Sequence, residues 1–496
     1  LGQKTLGLIN NFVKEDFFMK DEYDVVIVGA GIAGICAAYE LSLKTNLKIL
    51  LLDQGRPINS RVCPMISNKG SNCANCVSCN IMKGFGGAGN FSDGKYNFTT
   101  EFGGWLNQYI SNDEVEELID YVDSINMKFG ATDETFSTST KEAKEIERKA
   151  LQNDLHLLHA KVKHLGTENN LKILKNFFEY LNDKVDIVCN KKVEHILPKH
   201  LLSKNEDSDN KHRILFEDNS FVKCDFAIIA PGRSGAEWFS NECRSLDVEL
   251  INNQIDIGVR VELPAEVFKD ITESVYEAKL KYRTKKYGDI VRTFCMNPYG
   301  HVVAENVDGL ITVNGHSYSD KSLRSENTNF ALLVSNTFTE PFNDPYQYGK
   351  RIASFSNLLG NGVIVQRFGD LIKGRRTNTH RMSKSFVTPT LKASPGDLSL
   401  VLPKRHLDNI IEMIYALDKI APGTANEDTL LYGVEVKFYS ARPKLTNELE
   451  ISFDNNVSSN QNIFAIGDGA GVTRGLAQAG ASGIYVARRI IERVKK

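Results

Sequence analysis

Several things are missing from this chain of 496 residues. No stretch approaches the roughly 18 consecutive apolar residues of a membrane-crossing helix. There is no basic excess. Its 60 Lys and Arg stand against 62 Asp and Glu, for a formal net charge of -2, and basic runs such as Lys373–Arg376 are short. A nucleic-acid partner, which leaves a basic stripe on its protein, is therefore not expected. Leu1 to Lys20 lack the long apolar region and small-residue cleavage site of a secretory leader. Met19, just ahead of Lys20-Asp21-Glu22, reads as a start, and residues 1–19 as an N-terminal extension. The expected compartment is the cytoplasm, where thiols stay reduced. No repeat of fixed period runs through the chain.

What is present suits a soluble protein of about two or three domains. Hydrophobic residues make up 42% and charged residues 25%, an ordinary globular balance. Asp24-Val25-Val26-Ile27-Val28 is short, apolar and rich in β-branched residues, as in a strand buried on both faces. It runs into Gly29-Ala30-Gly31-Ile32-Ala33-Gly34, after which Ile35 to Leu43 reads as a helix. A second buried strand, Lys48 to Leu52, ends at Asp53. Strand, glycine turn and helix in this order form a dinucleotide fingerprint. Gly29 permits the tight turn, Gly31 and Ala33 lie where a pyrophosphate approaches, and Gly34 lets helix and strand close up. The helix N-terminus offers unsatisfied N–H groups to phosphate. Asp53 stands where a carboxylate binds the adenosine ribose. These features do not separate NAD from FAD.

Two later segments do. Asp225 to Ala230 is another buried strand, and its end, Ala230-Pro231-Gly232, resembles the Ala-Thr-Gly strand end of two-dinucleotide-binding flavoproteins. Ile463 to Gly467 with Asp468 and Gly469 resembles their second flavin motif. That resemblance implies FAD, with Asp468 on a ribityl hydroxyl. Gly475-Leu476-Ala477 should then open the last helix, its N-terminus aimed at the flavin pyrimidine edge, where a helix dipole favours the reduced anion.

Three more segments carry a closer resemblance. They are Gly84 to Lys95, Thr293 to Gly300, and Val313 to Ser317. From Asp24 onward the chain resembles the NAD(FAD)-utilising dehydrogenases, within the glutathione-reductase-like flavoproteins. It departs from that family at Asn297, where a second Cys is common, and at Tyr299, where Gly is common. The resemblance implies an FAD fold and names no substrate. Gly86, Gly87, Ala88 and Gly89 suit a loop whose backbone touches a ring face or phosphate. Ser92 and Lys95 are candidate donors to flavin oxygens. Cys295 and His316, inside the resembling segments, are the candidate catalytic side chains.

Nine cysteines are present, and Cys63, Cys73, Cys76 and Cys79 crowd into one loop. Two successive C-x2-C steps can turn several thiolates toward one centre. A [4Fe–4S] cluster, zinc, a redox disulfide beside the flavin, and plain reduced thiols all suit that spacing.

The expected fold is α/β. A discontinuous Rossmann-type FAD domain is built from 20–105, 185–245 and 455–496. A helical insertion covers 106–184, and a mixed α+β cap or substrate domain covers 246–454. The expected activity is that of an FAD-dependent dehydrogenase or reductase acting on a small molecule. There is no second strand–GxGxxG–helix unit. NAD(P)H would thus serve only as a transient reductant, or a redox protein would deliver electrons through the cysteine loop. A non-catalytic electron-transfer subunit and a flavin monooxygenase are the alternatives.

Overall fold

A computed structural model describes residues 19–63, 76, 78–202, 210–275, 277–307, 309–318, 321–339, 341–453 and 461–495. The expected extension before Met19, Cys73, and most of the Asn-rich loop that begins at Asn455 lie outside the described residues.

The chain makes a parallel-centred sheet from distant segments. Asp186–Val188, Ile49–Leu52, Glu22–Val28 and Phe221–Ile229 lie side by side, and Ile463–Ala465 pairs with the last of these. All these pairings are parallel, and the register places Val28 opposite both Leu52 and Ile229, with Ile229 opposite Ala465. The carboxyl ends therefore finish level, so that Gly29, Asp53, Ala230 and Ile466 emerge along one edge. Ligands of open α/β sheets gather at this edge. The other end of Phe221–Ile229 turns antiparallel, pairing with His212–Phe216 and through it with Val193–Leu197. Ile49–Leu52 is buried throughout, as its unbroken apolar run requires when both faces are covered.

Two helices cover one another beside this sheet. Ile32–Lys44 and Leu476–Lys495 approach so closely that a Cβ on Gly483 would fall 2.1 Å from the Ala33 carbonyl oxygen. A Cβ on Gly480 would fall 2.9 Å from Val122. Glycine is needed here for space, not for backbone conformation. Gly483→Ala should overpack this contact and destabilise the protein by about 1–3 kcal/mol. A lowered urea midpoint at unchanged slope is the expected result, and an unchanged midpoint would show that the helices are not in contact there.

A second sheet holds eight strands among the described residues. Its order is Ser394–Pro395, Ile364–Arg367, Leu430–Lys437, Ile255–Pro264, Asn327–Asn336, Ile290–Asn297, Leu280–Arg283, Leu155–Leu157. Ile257, Val259 and Val261 of its central strand join Leu407, Ile410, Met413 and Ile414 of helix Lys404–Asp418 in one core. A hairpin, His301–Val307 with Leu310–His316, packs on this sheet, with Val302 and Val313 against Val365, Leu430 and Tyr432.

The 106–184 segment is not wholly helical. Helices Asn112–Lys128 and Thr167–Asn182 contribute Val115, Leu118, Ile173 and Phe177 to the first core. Helix Lys141–Leu151 contributes Ala143 and Ile146 to the second, and Leu155–Leu157 extends the second sheet. Charged helical patterns dominate the segment and conceal its short strands, two of which pair outside it, with Leu280–Arg283 and with Lys95–Phe98.

Candidate functional site

A cleft of about 510 Å³ runs along the carboxyl edge of the first sheet and reaches the second. That volume is ordinary for a cofactor site. The fingerprint turn forms its floor. Gly29 has φ 107, and a Cβ there would meet the Ala230 carbonyl oxygen at 2.0 Å. A Cβ on Gly34 would meet the Gly29 oxygen at 2.0 Å, so Gly34 packs helix against strand and does not line the cleft. Gly31 is different. Its φ of -76 suits any residue, yet a Cβ there would meet nothing within 4 Å and would stand in the cleft. Gly31 caps the helix without a side-chain hydrogen bond. The first-turn N–H groups, beside Ile32 and Ala33 in the lining, are thus left to a ligand.

Asp53 lines the cleft and also fastens its loops together. One carboxylate oxygen accepts from the Ala30 N–H at 2.9 Å, and the other from the Gly55 and Gly84 N–H groups, each at 2.8 Å. One acceptor site, on the oxygen that accepts from Ala30, remains available to a ribose. The Gly84–Lys95 loop lies directly against the fingerprint. The Gly86 N–H donates to the Ala30 oxygen at 2.8 Å, and a Cβ on Gly87 would stand 3.1 Å from the Gly31 Cα. Gly86, Gly87, Ala88, Gly89, Ser92 and Lys95 all line the cleft. Two of these side chains already have partners. Ser92 donates to the Gly89 oxygen at 2.9 Å, and Lys95 pairs with Asp93 at 3.0 Å and Glu277 at 3.4 Å. Buried Arg61 clamps the loop from behind, donating to the carbonyls of Phe85, Ile81 and Asn80 at 2.7, 2.9 and 3.0 Å. Burial pulls its pKa down to about 10.

Gly232, Gly467, Asp468 and Gly475 complete this side. A Cβ on Gly469 would fall 2.0 Å from the Gly232 oxygen, which brings the two strand ends together. The Thr473 hydroxyl donates to Asp468 at 2.7 Å and orients the carboxylate. Ala477 is buried in the terminal helix and does not line the cleft.

The second sheet and its hairpin provide the opposite wall with Phe294, Cys295, Asn314 and Lys437. Cys295 sits at φ 46, where the pairing of Ile290–Asn297 with Asn327–Asn336 slips between Phe294 and Asn297. The irregularity places Cys295 in the lining. Beneath it lies a buried ion pair. Arg260 donates to both oxygens of Glu435, at 2.8 and 2.9 Å, and to the Cys295 carbonyl at 3.0 Å. Burial would raise the Glu435 pKa, but the Arg260 and Lys437 charges outweigh it and hold the carboxyl below its ordinary value. Gly315 must be glycine, because a Cβ would fall 2.2 Å from an Arg260 guanidinium nitrogen. Arg260→Met would leave the Glu435 charge buried beside Lys437 alone and should cost about 3 kcal/mol. Chemical denaturation reads that loss, and a change below about 1 kcal/mol would remove Arg260 as the support of this wall.

His316 stays outside the lining. It ends the hairpin opposite His301 and packs edge-on to Tyr318, with ring centroids 4.7 Å apart. Burial lowers its pKa. No hydrogen bond joins it to Cys295, so the two expected catalytic side chains do not form one unit. Of the cysteine loop, Cys76 is exposed and Cys79 partly buried, while Cys73 lies outside the described residues. Among the described residues, no three His, Cys, Asp or Glu side chains gather as a metal site.

Sequence reasoning missed Arg61, Arg233, Phe294, Asn314, Lys437 and Arg474. Arg233 follows Gly232 and Arg474 precedes Gly475, so adjacency to the motifs was their available signal. The cradle fits a dinucleotide. Gly31 and Gly232 open onto empty space, and Asn97 in the lining has a buried side-chain oxygen without a hydrogen-bond partner.

Residues 254–438 match the family described as FAD-dependent protein, C-terminal domain-like, and residues 24–61 match FAD dependent oxidoreductase. The chain is an FAD-dependent oxidoreductase. The first match covers most of the second sheet with its helices, and the second covers the fingerprint. An uncharacterised protein of Clostridium beijerinckii is 27% identical over 490 residues, spanning 94% of this chain and 80% of that protein. Among solved structures, glycine oxidase from Geobacillus kaustophilus aligns with TM-score 0.38 and 10% identity, covering 96% of this chain and 95% of that one. L-proline dehydrogenase from P. horikoshii aligns with TM-score 0.38 and 11% identity, over the same shares. None of the oxidoreductase's helices, among the described residues, is long and apolar enough to cross a membrane.

Proposed function

We propose that the oxidoreductase binds FAD lengthwise in this cleft and exchanges two electrons with a small-molecule substrate held against Phe294, Cys295 and Lys437. One observation carries the reading. Both glycine loops, Asp53 and Asp468 line a single cleft that continues to the opposite wall. Asp53 would take the adenosine ribose, the N–H groups behind Gly31 the pyrophosphate, and Asp468 the ribityl chain. When bound, FAD supplies the two-electron chemistry. The chain itself contributes binding and electrostatics. Lys437 brings positive charge to the wall, kept in place by Glu435 at 2.8 Å. Cys295 brings a thiol to that wall and is the candidate for contact with substrate. The three segments that resemble NAD(FAD)-utilising dehydrogenases make NADH and NADPH the reductants to try first.

Anaerobic mixing of FAD-loaded protein with NADH, NADPH and a panel of small organic acids, amines and alcohols tests this reading. Loss of the visible flavin absorbance with at least one of them, slowed in Cys295→Ala, supports it. A flavin reduced by dithionite but by no member of the panel would instead favour an electron-transfer subunit fed by a redox protein.

A further inference from the structure

Most cations in the cleft are neutralised by the protein. Lys95 pairs with Asp93 and Glu277, and Lys437 pairs with Glu435. Among the described residues Lys83, Arg233 and Arg474 have no such partner, and the two arginines line the cleft together with Asp468. Among the described residues, neither guanidinium donates a hydrogen bond or forms an ion pair. Arg474 lies over the Tyr439 ring, 5.0 Å from its centroid, and its own N–H donates to the Gly103 oxygen at 2.8 Å. Its backbone is therefore fixed, and the residue lines the cleft. The two guanidiniums are close enough that the Arg474 charge is the largest influence on Arg233, lowering its pKa, ahead of burial. Asp468 and Glu305 act on Arg233 only through space. Two like charges held together in a partly enclosed cleft repel one another, and an anion relieves that repulsion. Guanidinium forks match the planar oxygen pairs of carboxylate and the oxygens of phosphate.

We propose that Arg233 and Arg474 form an anion-binding site in the active cleft, which receives a carboxylate or phosphate group of the molecule that reacts with the flavin. The proposal rests on the FAD reading above, because that reading makes the neighbouring space a substrate site. It separates the two guanidiniums from the cofactor's own pyrophosphate, which is assigned to the helix end behind Gly31.

Protein loaded with FAD is titrated by calorimetry with benzoate in one arm and inorganic phosphate in the other, in parallel with Arg233→Gln, Arg474→Gln and Arg474→Lys. The expected result is saturable binding of at least one probe, weakened about tenfold to a hundredfold in either Gln variant. Arg474→Lys should recover part of the loss, and FAD content should be unchanged throughout. The arm that binds identifies the group as carboxylate or phosphate. Absence of binding in both arms overturns the proposal, as does equal binding by wild type and both Gln variants. Loss of FAD from Gln variants whose circular dichroism is unchanged would assign the guanidiniums to the cofactor and also overturns it. A wild-type protein that takes up no FAD would sink the FAD reading instead. The calorimetric arms, which do not depend on flavin colour, would still report on the arginines.

Discussion

Gly31→Val is expected to fold normally and to retain no FAD. The substituted side chain meets no protein atom, because nothing lies within 4 Å of its Cβ position, and the Gly31 φ of -76 is open to any residue. The isopropyl group would instead occupy the space in front of the helix N-terminus, where the pyrophosphate must come within hydrogen-bonding distance of the backbone. A loss of about 3 kcal/mol or more, roughly a hundredfold in affinity, is expected. The check pairs flavin absorbance after gel filtration with circular dichroism. A folded variant with full flavin would show that the pyrophosphate does not approach Gly31. The same substitution at Gly34 would act differently, because the clash there is with the Gly29 backbone and folding itself should suffer.

Asp468→Ala should weaken FAD retention by about 1.5–3 kcal/mol, the range for a hydrogen bond to a charged group. Its carboxylate is oriented by the Thr473 hydroxyl, and the residue lines the cleft. Asp225→Ala is the control. That carboxylate pairs with Lys211 at 2.8 Å and is 41% exposed, so its removal should cost little. Equilibrium dialysis of FAD against both variants gives the comparison. Equal losses in two folded proteins would mean that the ribityl chain lies elsewhere.

The glycine-lined half of the cleft was legible because its shape depends on backbone. Gly29, Gly31, Gly232 and Gly467 are marked by residue type and by the β-branched strands before them, and parallel pairing then aligns the strand ends. The opposite wall was less legible. Phe294 and Asn314 lie in two of the resembling segments but were not singled out there, and Lys437 lies in none; all three come from strands whose register is set by the second sheet and the hairpin. Cys295 was found through its segment. His316 came with the same kind of signal, but the hairpin carries it past the cleft to Tyr318. Arg61 was invisible because its role is to satisfy the carbonyls of Phe85, Ile81 and Asn80, about twenty residues further along the chain. The 106–184 segment was read from its charged helices, whereas its strands depend on partners such as Leu280–Arg283.

The central claim is that one FAD spans the cleft from Asp53 to Asp468. The most direct test is to saturate the purified protein with FAD, remove the excess, denature it, and identify and count the released cofactor. The account predicts FAD at one molecule per chain. Release of FMN alone from protein offered both flavins, or no retained flavin in folded protein, would contradict it.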